Sequence, residues 1–231
     1  MLPVRSVLVD FDGTACSHDV AVDVLTRYAD PSWLDLDEAC ERGEIGNREC
    51  IERQAALLDA PLQEMVTYAV EHCPLDPAFA SFVDRVRDDG VDVAIVSDGF
   101  GFYIPPILEA AGIRDVRIVT NDWTTEGPQR ISYGSGHPEC VGCGTCKMAA
   151  VLDARARGPV AFVGDGWSDR FAALYTDVLF AKRDLVAFAE ADAVPFVPWE
   201  TFDDVRAYLE SATELPGPID PATCPGWLLP A

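Results

Sequence analysis

The sequence predicts an α/β fold, a parallel sheet covered by helices on both faces, with an all-helical insertion after its first strand. Three observations carry this expectation. Short β-branched runs alternate with helical patterns from residue 76 onward, which is the signature of strand–helix–strand units. The first such run, Val4 to Asp10, is separated from the others by a helical pattern from Asp19 to about Glu71. The chain has 231 residues with 49% hydrophobic content, enough for a core but with no apolar run near the ~18 residues of a membrane span.

Each element follows from local chemistry. Val4–Asp10 reads VRSVLVD and runs into the turn pair Asp12-Gly13, so a buried strand feeds a loop. Residues 19–71 are punctuated by Asp30-Pro31, Gly43, Gly46 and Ala60-Pro61, which divides them into about four helices. A helix after Pro77 stops at Gly90, the strand VDVAIVS follows, a helix over 102–111 stops at Gly112, and VRIVT forms the next strand. Residues 121–146 are rich in Gly, Pro and Cys and read as a long loop or hairpin. Alternation resumes with helix 147–156, strand PVAFVGD, helix 168–175, strand DVLFA, helix 184–190, a short strand near AVPFV and helix 201–211. The expected division is a core from 1–15 and 76–212, a helical segment 16–75, the Cys-rich loop 121–146 within the core, and a Pro-rich tail 213–231.

Charge narrows the partners. Thirty-nine acidic residues against 17 basic ones give a formal charge of -22, which repels nucleic acid and anionic lipid. Only two lysines occur, Lys147 and Lys182, so each lysine invites scrutiny. The scattered cysteines do not form a secreted disulfide framework, and the first residues carry no signal-peptide pattern, so a cytoplasmic protein is expected, as monomer or homodimer.

In open α/β sheets chemistry gathers just beyond the carboxyl ends of the strands. Those positions here carry Asp10-Phe11-Asp12-Gly13-Thr14, Ser97-Asp98-Gly99 and Gly164-Asp165-Gly166-Trp167-Ser168-Asp169. Carboxylates held together repel unless a cation is present, and a hard oxygen donor set suits Mg²⁺. Lys147 opens the helix after the irregular loop, where it can reach phosphate oxygens with a helix N-terminus behind it. Acids, a hydroxyl and one lysine suit phosphoryl transfer. Asp-Gly turns and helix-capping aspartates explain each motif singly, but not all of them in this order.

With these residues assembled, the chain resembles the haloacid dehalogenase superfamily, whose motifs read DxDGT, a Ser/Thr after the second strand, a Lys before a helix, and GDxxxD. The resemblance covers residues 4 to about 212 and implies a Rossmann-like core with an inserted helical-bundle cap. It implies that Asp10 is a nucleophile forming an aspartyl-phosphate and that Asp12 is the general acid and base. It further implies Mg²⁺ at Asp10, Asp12 (through its carbonyl), Asp165 and Asp169, with Ser97, Asp98, Gly99 and Lys147 around the phosphoryl group. An acid at Asp12 favours a phosphatase over dehalogenases, which lack it, and over P-type ATPases, which usually carry Thr there. Within the helical-cap group, Asp30-Pro31-Ser32-Trp33, Ser97-Asp98-Gly99-Phe100 with Phe102-Tyr103 after it, the Cys-rich run ending in Cys146-Lys147, and Phe180-Ala181-Lys182-Arg183-Asp184 are similar to the methionine-salvage phosphatases acting on 2-hydroxy-3-keto-5-methylthiopentenyl-1-phosphate. Phosphoserine and phosphocholine or phosphoethanolamine phosphatases are more distant cousins, and by that likeness Asp19 and Arg53 become candidate specificity residues, with Phe102 as an apolar wall. Capping for Asp19, a solvated face for Arg53 and core packing for Phe102 are the plain alternatives.

His137, Cys140, Cys143 and Cys146 recur every third residue before Lys147. This reads as a structural Zn²⁺ site, as reduced thiols, or as a redox pair. The implied partner is a small phosphorylated metabolite. A phosphomutase, or a non-catalytic zinc-stabilised binding protein, are the competing functions.

Overall fold

The structure is a computed structural model, which describes residues 2–125 and 130–228. Residues 126–129 of the expected Cys-rich loop and 229–231 of the tail lie outside the described residues. Strand β1 (Ser6–Val9) is followed by a tight loop over Phe11–Ala15 and then by helices α1 (Val20–Tyr28), α2 (Trp33–Glu41), α3 (Asn47–Leu57) and α4 (Leu62–His72). Next come α5 (Phe79–Asp88), β2 (Asp92–Val96), α6 (Ile104–Ala110) and β3 (Arg117–Val119). The short strands β4 (Asp122–Trp123) and β5 (Ile131–Ser132) precede α7 (Lys147–Arg155), β6 (Val160–Gly164), α8 (Arg170–Ala173), β7 (Val178–Ala181), α9 (Asp184–Ala191), β8 (Phe196–Pro198) and α10 (Phe202–Ser211).

The main sheet has six strands in the order β3-β2-β1-β6-β7-β8, all parallel. β1 is central because every one of its residues is buried, and only a strand with neighbours on both edges pairs its whole backbone. Chain order reverses between β1 and β6, and that reversal opens a crevice at their carboxyl ends. Alternate side chains serve opposite faces. Val7, Val9, Ile95, Val163 and Phe180 pack with α5 and α10, where Phe202 lies 4.7 Å from Phe79 and 5.0 Å from Phe82 between ring centroids. Leu8, Ala94, Val96, Phe162 and Leu179 face α7, α8 and α9.

The expected helical stretch resolves into α1–α4 for the reasons the sequence offered. Asp19 caps α1 by accepting from the Val22 N–H at 2.9 Å, and Gly43 (φ +69°) lets the chain turn after α2. Cys16 and Leu75 form an antiparallel bridge, so the chain leaves and re-enters the sheet layer side by side. Three boundaries differ from expectation. α6 starts at Ile104 rather than 102, because Pro105 and Pro106 fit only a helix's first turn. Helix 168–175 shortens to Arg170–Ala173 after a 3₁₀ turn over Trp167–Asp169. The last strand slides from 193–197 to Phe196–Pro198. Loop 121–146 contributes the antiparallel pair β4–β5.

Candidate active site

The tight loop after β1 builds the site. Asp10 donates its backbone N–H to Val163 O at 2.9 Å, which fixes the carboxyl end of β1 against β6. Gly13 takes φ +71°, and a Cβ there would collide with the Asp165 carboxylate, so only glycine lets the loop approach the GDxxxD turn. Gly99 is equally constrained, since a Cβ would collide with the Tyr103 hydroxyl and crowd Asp12.

Four sequence-chosen residues converge. Lys147 is 3% exposed, and its Nζ donates to Asp10 Oδ1 at 2.7 Å, Asp169 Oδ1 at 2.7 Å and Ser168 Oγ at 2.9 Å. Asp10, Asp165 and Asp169 each offer an oxygen within 4.8 Å of the others, a group of the size that holds a metal ion. Thr14 Oγ1 donates to Asp165 Oδ1 at 2.9 Å, and Arg183 Nη1 donates to Asp165 Oδ2 at 2.9 Å. Asp169 Oδ2 accepts from the N–H groups of Asp165 and Gly166, which closes the turn.

Asp12 and Ser97 meet on the other side. Asp12 Oδ2 accepts from Tyr103 Oη at 2.9 Å and Ser97 Oγ at 3.3 Å, and its Oδ1 accepts from the Val20 N–H at 3.1 Å. Ser97 Oγ accepts from the Gly99 N–H at 3.1 Å. Asp98 is buried and directed elsewhere: it accepts from Thr145 N–H at 2.6 Å and Asn47 Nδ2 at 2.5 Å, tying α3 to the loop that delivers Lys147.

The electrostatics follow from crowding. Burial, then Asp169, pushes the Asp10 carboxyl well above the usual range. Burial, then Asp19, raises Asp12 to about 7, and burial with Asp169 raises Asp165 to about 6. Burial alone would lower Lys147, but the Asp10 and Asp169 carboxylates outweigh it and raise it. Asp10 and Asp165, both disfavoured as anions, sit with Asp169 in an all-oxygen donor set that fits a hard divalent cation such as Mg²⁺.

This has a thermodynamic consequence of unusual sign. Between the ordinary carboxylate value of about 4 and about 7 for Asp12, the folded protein keeps protons that the unfolded chain has released. These groups therefore stabilise the fold at the low end of that window, and the contribution falls as pH rises through it. Chelator-treated protein should lose melting temperature across the window, and added Mg²⁺ should flatten the loss; a melting temperature that climbs there in chelator contradicts the account.

The crevice continues into a cavity of about 350 Å³ walled by α1, α2 and α3, a size suited to a small ligand. Asp19 lines it while also capping α1. Arg53 does not reach it: its guanidinium pairs with Glu49 at 3.0 Å on the open side of α3, and Asn47, Ile51 and Gln54 line the cavity instead. Phe102 does not line it either, because it packs against Trp123 and Tyr103 at centroid distances of 5.0 and 5.2 Å; Phe100 takes the wall position. Asn47 and Gln54 were not singled out from the sequence, whereas Thr14 and Arg183 appeared there only as members of longer motifs, with no role of their own. The signal for Arg183 was its place just beyond β7, where it holds φ +49°.

His137, Cys140, Cys143 and Cys146 surround a separate small cavity. Among the described residues, no three of their ligand atoms fall within 4.8 Å of one another. The second group that does converge, His18, Asp23 and Cys73, is a partly exposed pair of His18 Nδ1 with Asp23 at 2.9 Å beside a buried thiol.

Known proteins resemble the chain in sequence and in fold. A family model described as haloacid dehalogenase-like hydrolase matches residues 7–173. A protein of Brevibacillus brevis named 2-hydroxy-3-keto-5-methylthiopentenyl-1-phosphate phosphatase is 30% identical over 213 residues, covering 89% of this chain and 95% of the relative. Its namesake from Bacillus velezensis is 27% identical over 215 residues, covering 90% and 91%. A substrate-bound phosphoserine phosphatase structure superposes with a TM-score of 0.68 at 17% identity, covering 89% of this chain and 98% of that one, a likeness of fold. No described helix is long and apolar enough to cross a membrane.

Proposed function

The chain belongs to the haloacid dehalogenase-like hydrolase family, as a phosphatase, and on that premise we propose that it hydrolyses a small phosphomonoester with Mg²⁺ through a phosphoryl group carried on Asp10. The observation that carries this reading is the convergence of Asp10, Asp165 and Asp169, two of which, Asp10 and Asp169, pair with the buried Lys147, beside an Asp12 raised to about 7. Asp10, Asp165, Asp169 and the Asp12 carbonyl would hold Mg²⁺, which supplies charge neutralisation at the phosphoryl oxygens.

The protein's own residues perform the rest. Lys147, Ser97 Oγ and the Gly99 N–H orient the phosphoryl group. An Asp10 oxygen attacks phosphorus, the P–O ester bond breaks, and Asp12 gives its proton to the departing oxygen. Asp12, now a carboxylate, takes a proton from water as that water attacks the phospho-Asp10, releasing inorganic phosphate and restoring both acids. A group near 7 is matched to giving and then taking a proton at neutral pH. Tyr103 holds Asp12 in place for both steps.

Residues 16–75 act as a cap whose inner face selects the substrate, and closure excludes water from the crevice. The name shared by the relatives makes the methionine-salvage intermediate the leading substrate, and Val22, Leu25 and Ile51 offer its methylthio end an apolar wall. A second reading, an amine-bearing ester such as phosphoethanolamine or phosphocholine, draws on Asp19 and Asp37 in the cavity wall. Phosphoserine suits the site less, because Arg183, the one Arg or Lys among the described residues that line the cavity, is held by Asp165 at 2.9 Å rather than offered to a carboxylate.

Phosphate release across these substrates is the test. The salvage intermediate should have the highest kcat/KM, with activity lost in chelator and restored by Mg²⁺. Higher kcat/KM on phosphoethanolamine or phosphocholine would select the second reading, undiminished turnover in chelator would remove the metal, and transfer to another hydroxyl without phosphate release would indicate a mutase.

A further inference from the structure

The small cavity behind Lys147 has an unexpected fourth thiol. Cys224, from the Pro-rich tail, lines it together with Cys140, Cys143 and Cys146. Nothing in the sequence joins these segments, and the structure brings them together by specific contacts. The tail is fastened by Gly217 N–H to Asp177 O at 2.9 Å, Asp220 N–H to Leu174 O at 2.9 Å and Tyr175 Oη to Pro221 O at 3.0 Å. Gly226 then lies so close to Phe171 that a Cβ would sit 3.2 Å from its ring. On the opposite side, Arg48 of α3 donates to the carbonyls of Cys143, His137 and Cys140 at 3.2, 3.3 and 3.4 Å, holding the loop from outside.

All four cysteines are free thiols. Their spacing and their order in the chain bear on what they suit. Zinc binds thiolates at about 2.3 Å in a tetrahedron, which sets sulfurs about 4 Å apart. Here, among the described residues, no three of these sulfurs lie within 4.8 Å of one another. A cubane cluster spreads its thiolates more widely. It also takes them in the pattern present here, two successive Cys-x-x-Cys steps plus a remote cysteine followed by proline, as in Cys140/Cys143/Cys146 and Cys224-Pro225. His137 is otherwise engaged: its Nδ1 accepts the N–H groups of Glu139 and Cys140, forming the turn, and its ring stands edge-on to Trp227 at 5.1 Å. The remaining walls are mostly apolar, with Met148, Phe171 and Trp227 among them.

We propose that Cys140, Cys143, Cys146 and Cys224 bind a [4Fe–4S] cluster that clamps the tail onto the loop leading into Lys147. Cys146 directly precedes α7, so the cluster would fix the start of the helix whose first residue enters the catalytic crevice. Its role is structural, and the proposal stands independently of the substrate.

The full chain, produced and purified without oxygen from iron-replete cells, should contain about four iron and four sulfide per chain, with a charge-transfer band that dithionite bleaches. Cys224→Ser and Cys143→Ser should each lose most of the iron, whereas His137→Ala should keep it. Circular dichroism should show that the sheet core of Cys224→Ser persists, since Cys224 lies outside it; if that variant does not fold, the wild-type and His137→Ala metal contents decide. One zinc per chain, a metal-free wild type, or full iron in Cys224→Ser overturns the proposal.

Discussion

Asp10→Asn should abolish phosphate release, with kcat reduced by at least about 10⁴-fold, because removing the nucleophile of a covalent mechanism leaves only binding and charge stabilisation. The substitution is nearly isosteric and removes one of four neighbouring acids, each of which raises or crowds the others. The Asp10 carboxylate is disfavoured by burial and by Asp169, Asp165 and Asp12, so a neutral amide at that position relieves repulsion while giving up one of the Lys147 contacts. The melting temperature of the metal-free variant should therefore not fall. Steady-state assays and thermal melts on the same preparation check both halves. A variant that keeps turnover would show that phosphorus is attacked by something other than Asp10.

Lys147→Met should lower kcat by about 10²- to 10³-fold, the cost of removing one preorganised cationic donor from a developing negative charge. The same change should destabilise the metal-free protein by about 3–5 kcal/mol, because Asp10 and Asp169 lose the cation buried between them. Mg²⁺ should recover part of that stability and little of the rate. The two readouts separate the roles: a large loss of stability with unchanged kcat would make Lys147 a structural counter-ion only. Methionine keeps most of the side-chain volume, so the loss is read as charge and hydrogen bonding rather than as a void.

How much of this was legible in the sequence depends on whether the determinant is local. Asp10, Asp12, Ser97, Asp165 and Lys147 could be chosen because strand ends and the first residue of a helix are set by nearby residues, and a doubly wound sheet gathers those positions along one edge. The four helices of 19–71 were marked by their own prolines and glycines. The cap's inner face was harder, because which side of a helix meets the crevice is a tertiary fact. Arg53 and Gln54 are neighbours in sequence but about 100° apart around α3, and the face that lines the cavity is the one with Asn47, Ile51 and Gln54 at i, i+4 and i+7. Asp98 belongs to the same class: its motif position suggested the phosphoryl group, whereas its carboxylate is occupied with Thr145 and Asn47. Cys224 was invisible for a similar reason, since it sits in a tail whose path is set by contacts with Asp177, Leu174 and Tyr175. The long negative charge was legible as a number but not as a distribution. Part of it is concentrated in the carboxylates facing Lys147 and the crevice, where it prepares a cation site rather than a soluble surface.

The most direct test of the central claim is rapid-quench trapping with a phosphomonoester labelled on phosphorus, followed by peptide mapping of the denatured enzyme. The account predicts an acid-stable, hydroxylamine-labile label that appears before phosphate is released, maps to the peptide containing Asp10, and is absent from Asp10→Asn. Label on any other residue, or phosphate released in single turnover with no covalent label on the wild-type chain, would contradict it.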